Sequence, residues 1–318
     1  MRASMSEAAE PVWVLADPRA GTAAQAIGIA ERLGLPFRAV PLEWGPLARL
    51  PLGWGTLLGL APASRGAFRP PWPRLVVSAG RRSAPVALWL RRRGARVVHC
   101  MRAPGSAGFD LQVVGAHDGM GPAPNRIEIL GAAHRVTPAA LAAGRTRFAA
   151  LGGLPSPRVG LLLGGPVRGE GLDPAIAAAL GRRVAGFAGS VMATASRRTG
   201  AAATAALAEA LAPVPHRLHG WGSAGENPYL GILAWADVMV VSGDSVSMLS
   251  EALVTAAPIF IAPLGDEGPR HRALHASLQA AGQARPIDDA PAPFARQPRD
   301  EVARIVAAIR ERGLLTHE

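Results

Sequence analysis

The chain has 318 residues, 49% hydrophobic and 18% charged, which is long enough for two hydrophobic cores and too apolar for a disordered polymer. Its formal charge is +11 without a single lysine, but the arginines read as scattered singly through Ala-, Gly- and Pro-rich sequence, so nucleic acid is not the expected partner. One cysteine, Cys100, excludes an internal disulfide and a thiolate metal site; with no secretory pattern in residues 1–11 and no spanning apolar run, the expected place is the cytoplasm, either free or peripheral at the inner membrane.

The first apolar run, 12–16, leads through Asp17-Pro-Arg-Ala-Gly21 into a helical pattern over 23–33, a β-loop-α unit. The segment 45–62 is apolar, with Trp54, Leu57 and Leu58 broken only by Arg49, Gly and Pro. It reads either as an interfacial patch suited to a membrane surface or a lipid-linked acceptor, or as a hydrophobic loop packed on its own domain. Further strands are expected at 75–78, 96–99 and 111–114, with a helix over 84–93, as a parallel sheet with crossover helices requires. The pattern dissolves into Gly, Pro and Arg at 144–157, which predicts a linker there.

Beyond it the rhythm restarts, with strands at 159–163, 190–193, 217–219, 238–241 and 259–261. Helices are expected between them over 174–184, 201–211, 229–235, 246–254 and 270–280, and a last helix over 300–312. The expected class is α/β, with two Rossmann-like domains facing a cleft. The expected bounds are 1–150 for the first domain, 151–298 for the second and 299–318 for a C-terminal helix.

Chemistry is expected where strands end. Strand 238–241 delivers the chain to Ser242, Gly243 and Asp244, and Asp244 or Ser245 can cap the following helix. Ser245 and Ser247 offer hydroxyls to a diphosphate, and Glu251 can accept from ribose hydroxyls; the same residues also read as an ordinary capped helix. Gly164 and Gly165 end one strand, Ser196, Arg197, Arg198 and Thr199 another, and the guanidinium forks match phosphate oxygens. The loop 221–229, with Trp221 and Asn227, can line a base or sugar. In the first half, Asp17 to Gly21 occupies a phosphate-loop position without the G-x-G-x-x-G fingerprint, and Gly80-Arg81-Arg82-Ser83 is a second basic loop. His117 beside Asp118 is a candidate general base, against the commoner structural role of such a pair. His271 and His275, four apart, lack a third ligand and read as surface residues, and no metal or cofactor is expected.

The run Ser242-Gly-Asp-Ser-Val-Ser-Met-Leu-Ser-Glu251 resembles the donor-site helix of the GT-B glycosyltransferases, in which a Ser/Gly-rich turn and a Glu hold the diphosphate and ribose of a nucleotide-sugar. A longer set resembles the mitochondrial-fission-factor-like family of bacteria and plants over nearly the whole chain: Ala20-Gly-Thr-Ala-Ala-Gln25, His117-Asp118, Ser196-Arg-Arg-Thr199, Gly225-Glu-Asn-Pro-Tyr229, Ala234-Trp-Ala-Asp237 and Asp244-Ser-Val-Ser-Met248. This resemblance implies the GT-B-like fold more firmly than any reaction. It would put Arg19, Gly21, Gln25 and Arg81 on the acceptor side. Two functions stay open: a metal-independent, nucleotide-sugar-dependent glycosyltransferase, or a non-catalytic scaffold acting at a membrane surface or on a protein partner.

Overall fold

The computed structural model describes residues 11–166, 171–265, 267–288 and 291–315, so all of the segment 1–11 but Pro11 lies outside the described residues. The chain divides into two compact units, residues 1–135 with 301–318, and residues 136–300.

The first unit runs β1 (Val12–Ala16), α1 (Ala20–Leu33), β2 (Phe37–Pro41), the single turn α2 (Pro62–Arg65), β3 (Leu75–Ala79), α3 (Ala84–Arg91), β4 (Arg96–Cys100), β5 (Leu111–Gly115) and β6 (Arg126–Ile129). Its six strands form one parallel sheet in the order β2-β1-β3-β4-β5-β6. Every position of β3 and β5 is buried, as expected of parallel strands covered on both faces. Alternate residues serve alternate faces. Val12, Val14, Leu75 and Val77 pack under α1, whereas Trp13, Leu15 and Val76 pack with α3 and with Leu42, Leu60 and Phe68 from the segment after β2. Cys100 ends β4 inside the core, and burial pushes its thiol up to about 12, so it supplies no reactive thiolate at neutral pH.

The second unit runs α4 (Pro138–Arg147), β7 (Arg158–Leu163), α5 (Pro174–Ala185), β8 (Ser190–Ala195), α6 (Ala201–Ala210), β9 (His216–His219), α7 (Tyr229–Trp235), β10 (Val238–Ser242), α8 (Val246–Ala252), β11 (Ile259–Ala262), α9 (Pro269–Ala280) and β12 (Ala284–Pro286). The sheet order is β12-β11-β10-β7-β8-β9, all parallel. The chain therefore starts at the centre with β7, moves out through β8 and β9, then returns to the other side of β7 for β10. That reversal makes the carboxyl ends of β7 and β10 the topological switch point, where open α/β sheets bind ligands.

The boundary between the units differs from the sequence expectation at both of its crossings. The region expected to be a linker, 144–157, begins within the last turn of α4, which belongs to the second unit because it packs on α7: Arg145 donates to the Ala234 carbonyl at 2.8 Å and its guanidinium lies 3.7 Å from the Trp235 ring centre. A final helix, α10 (Glu301–Glu311), returns to the first unit, where Val302, Ile305, Val306 and Ile309 join the core under α1.

Candidate functional site

Three loops meet at the switch point of the second unit. Ser242, fully buried at the end of β10, accepts from the Gly164 amide at 2.8 Å and donates to Asp244 Oδ1 at 2.7 Å. Asp244 also accepts from the Gly165 amide at 3.0 Å and pairs with the Arg198 guanidinium at 3.0 Å; Arg198 in turn donates to the Gly165 carbonyl at 2.6 Å. Thr199, buried in the turn after β8, donates to the Leu163 and Gly164 carbonyls and accepts from the Ser196 amide at 2.9 Å. Both glycines are needed for close approach. A methyl group on Gly164 would strike the Asp244 carboxylate, and one on Gly165, at φ +155°, would strike the Arg198 carbonyl.

The junction uses up part of what the sequence offers a ligand. A carboxylate already sits on the Gly165 amide, and Arg198 neutralises it. Arg197 is exposed and free to meet an anion, and Ser247 is exposed in the first turn of α8, while Ser245 caps that helix through the Met248 amide at 3.3 Å. His275 reaches the junction from α9, its Nε2 2.8 Å from the Gly243 carbonyl, so it is a half-buried junction residue where a surface residue was expected. The roles of Thr199 and Asp244 as organisers were likewise not legible; a Thr three residues after Ser196 in a turn was the available signal.

Glu251, on α8, accepts from the Tyr229 hydroxyl at the start of α7. Burial pushes the Glu251 carboxyl up to about 7 despite that bond, and burial together with the Glu251 charge raises the Tyr229 phenol well above its ordinary 10, so the phenol is the donor at neutral pH. The fold favours neutral Glu251. Its contribution to stability is therefore complete below about pH 4.5 and is lost as pH rises towards about 7. Glu251→Gln, which keeps an acceptor without the charge, should gain on the wild type across that window; melting temperatures that run parallel from pH 4 to 8 would contradict the assignment. Asn227 accepts from the Tyr229 amide at 3.1 Å and so shapes the loop, while Trp221 is 71% exposed.

In the first unit the loops after β1 and β3 also lie at a switch point. Asp17 is buried, and although burial raises its carboxyl, bonds from Arg19, the Arg19 charge and the Trp44 indole hold it below its ordinary value. Arg19 pairs with Asp17 at 2.9 Å, with its own side chain 59% exposed. Gly21 is exposed and Gln25 half-buried on α1, and Gly80 lies against Thr22 and Arg19. Arg81 instead donates to the Arg49 carbonyl at 3.1 Å, which makes it a brace of the segment after β2. His117 points inward: its side chain is 1% exposed, its ring lies over Gly115, and its Nε2 is 3.9 Å from Asp118 Oδ1. Asp118 caps the same turn through the Gly115 amide. A base role for His117 would require the ring to be uncovered before an acceptor hydroxyl could reach it. Among the described residues no three His, Cys, Asp or Glu group as a metal site would require.

Two parallel α/β units with loops at their switch points are the GT-B kind of fold, and solved structures agree. Os79 from O. sativa, in complex with U2F and trichothecene, matches with a TM-score of 0.56 at 14% identity over 96% of this chain and 93% of its own. CalG4, the calicheamicin glycosyltransferase, matches with 0.50 at 13% over 96% and 92%. The family model described as Mitochondrial fission ELM1 matches residues 20–313, and the chain belongs to that family. The mitochondrial fission protein ELM1 of Arabidopsis thaliana is 27% identical over 237 residues, 64% of this chain but 54% of the relative, so the chain spans about half the length of that protein.

Proposed function

We propose that the second unit binds a nucleoside diphosphate, as the carrier part of a nucleotide-sugar, at the carboxyl edge of β7, β8 and β10. The observation that carries this reading is the convergence of the loops 163–166, 196–199 and 242–245 at the switch point of a parallel sheet. Arg197 and the Ser247 hydroxyl meet the phosphates, and Glu251, held by Tyr229, turns its remaining acceptor capacity to the ribose. UDP-GlcNAc 2-epimerase from Neisseria meningitidis, a solved structure of similar fold bound to UDP-GlcNAc, supports an occupant of this chemistry. The corresponding activity is glycosyl transfer without a metal, the acceptor being unidentified.

The second reading is a GT-B-like scaffold without transfer activity. It is favoured by two specific observations, the inward-turned His117 and the Asp244 carboxylate seated on the Gly165 amide. The readings separate in a thermal-shift panel of UDP, GDP, ADP and CMP with their sugars, because a ligand bound only by the folded state raises its apparent stability. A shift with one base, abolished in Glu251→Ala, is the expected result. A flat panel would reject nucleotide binding and leave the scaffold.

A further inference from the structure

The arginines that read as scattered are concentrated. Between Glu43 and Asp110, residues 44–109 hold eleven arginines and no Asp or Glu, so this stretch of the first unit carries the whole +11 excess while the remainder of the chain is balanced. The same stretch carries most of the exposed large hydrophobic side chains among the described residues. Six large hydrophobic side chains are exposed among the described residues, and four lie within twelve positions: Leu47 at 45%, Leu50 at 51%, Trp54 at 54% and Leu58 at 50%.

These side chains are not outward because the segment is loose. Ala48, Leu52 and Leu60 are buried beneath it, the Gly45 amide donates to the Gly59 carbonyl at 3.0 Å, and the Thr56 amide donates to Pro85 at 3.0 Å. Arginines hold its backbone from outside: Arg81 donates to the Arg49 and Leu50 carbonyls, Arg92 to Gly55 at 3.1 Å, and Arg65 to Leu58 and Leu60. Each exposed apolar group from Leu50 to Leu58 thus has a guanidinium fixed beside it.

We propose that this face docks the first unit on a bilayer surface containing anionic lipid. Leu50, Trp54 and Leu58 enter the boundary between headgroups and acyl chains while Arg49, Arg65, Arg81 and Arg92 meet the lipid phosphates, as leucine, tryptophan and arginine partition at such a boundary. No helix among the described residues is long and apolar enough to cross a membrane, so the contact is peripheral. Leucine side chains neither stack on bases nor hydrogen-bond to them, which argues for lipid over nucleic acid as the partner of this charge. The inference is independent of nucleotide binding by the second unit.

The test is co-sedimentation of the full chain with phosphatidylcholine vesicles, with and without phosphatidylglycerol, and a parallel titration with single-stranded RNA. Binding at least roughly tenfold tighter to the anionic vesicles is expected, because each arginine near such a surface is worth about 1 kcal/mol. The triple change of Leu50, Trp54 and Leu58 to serine should abolish vesicle binding at an unchanged melting temperature. If that variant is unstable, weakening of wild-type vesicle binding by salt and by Arg49→Ser decides the charge part alone. Equal binding to neutral vesicles, no binding at all, or RNA binding that survives the triple change would overturn the proposal.

Discussion

Replacing Arg296 with alanine is expected to cost roughly 3 kcal/mol of stability, on the scale of removing one member of a buried charged network. Arg296 is 8% exposed, and its guanidinium donates to the carbonyls of Ala257 at 2.7 Å, Ala252 at 2.8 Å and Leu253 at 3.3 Å, to Thr255 Oγ1 at 3.0 Å and to Gln283 Oε1 at 3.1 Å. Ala252 ends α8, so the cation sits where helix carbonyls lack intrahelical partners and the helix dipole is negative. Burial lowers its pKa only to about 10, and it remains charged at neutral pH. Five acceptors lose the guanidinium in the alanine variant; the Ala252 carbonyl keeps Thr255 and the Leu253 carbonyl keeps the Arg299 amide as donors, whereas no other donor to the Ala257 carbonyl is seen among the described residues. Lysine should not rescue it, since one ammonium cannot reproduce the planar fork. Urea unfolding of the wild type, Arg296→Ala and Arg296→Lys measures this, and a loss below about 1 kcal/mol, the size of a single ordinary hydrogen bond, would show that these contacts are not a clamp.

The second large effect is expected at Gly165. Alanine there must adopt φ +155° and place its methyl group against the backbone carbonyl of Arg198, which cannot rotate away as a side chain would. The loop has to move, and with it the Gly165–Asp244 and Arg198–Gly165 bonds that assemble the junction. A loss of about 3 kcal/mol together with loss of nucleotide binding is the expected outcome. Gly282→Ala is the control: φ is +66°, nothing lies within 4 Å of the added methyl, and only the backbone cost of about 1 kcal/mol applies. If the two variants melted alike, the close packing at Gly165 would be irrelevant to the fold.

The central strands were legible because buried parallel strands are short, apolar and closed by loops with Gly, Ser or Asp, as in β7 and β10. Strands β2, β6 and β12 were not. Phe37–Pro41 and Arg126–Ile129 lie at sheet edges with exposed positions, and Ala284–Pro286 is three residues long, so none carries an apolar run. The loops of the candidate site could be placed at strand ends, but not the bonds among them: nothing local says that Asp244 faces Gly165 or that Tyr229 meets Glu251. Arg296 was invisible for the same reason, sitting in a Pro-rich segment that reads as a connector. The burial of His117 was equally illegible, since a His-Asp pair after a strand reads alike whether the ring faces solvent or the core. The arginine cluster was present in the sequence throughout, and only a count by window exposes it.

Amide hydrogen exchange, with and without the nucleoside diphosphate that gives the largest thermal shift, tests the central claim most directly, because it reports where in the chain the ligand lowers local opening. Protection concentrated in the peptides covering 163–166, 196–199 and 242–252 is the predicted result. Protection confined to the loops after β1 and β3, with the second unit unchanged, would contradict it.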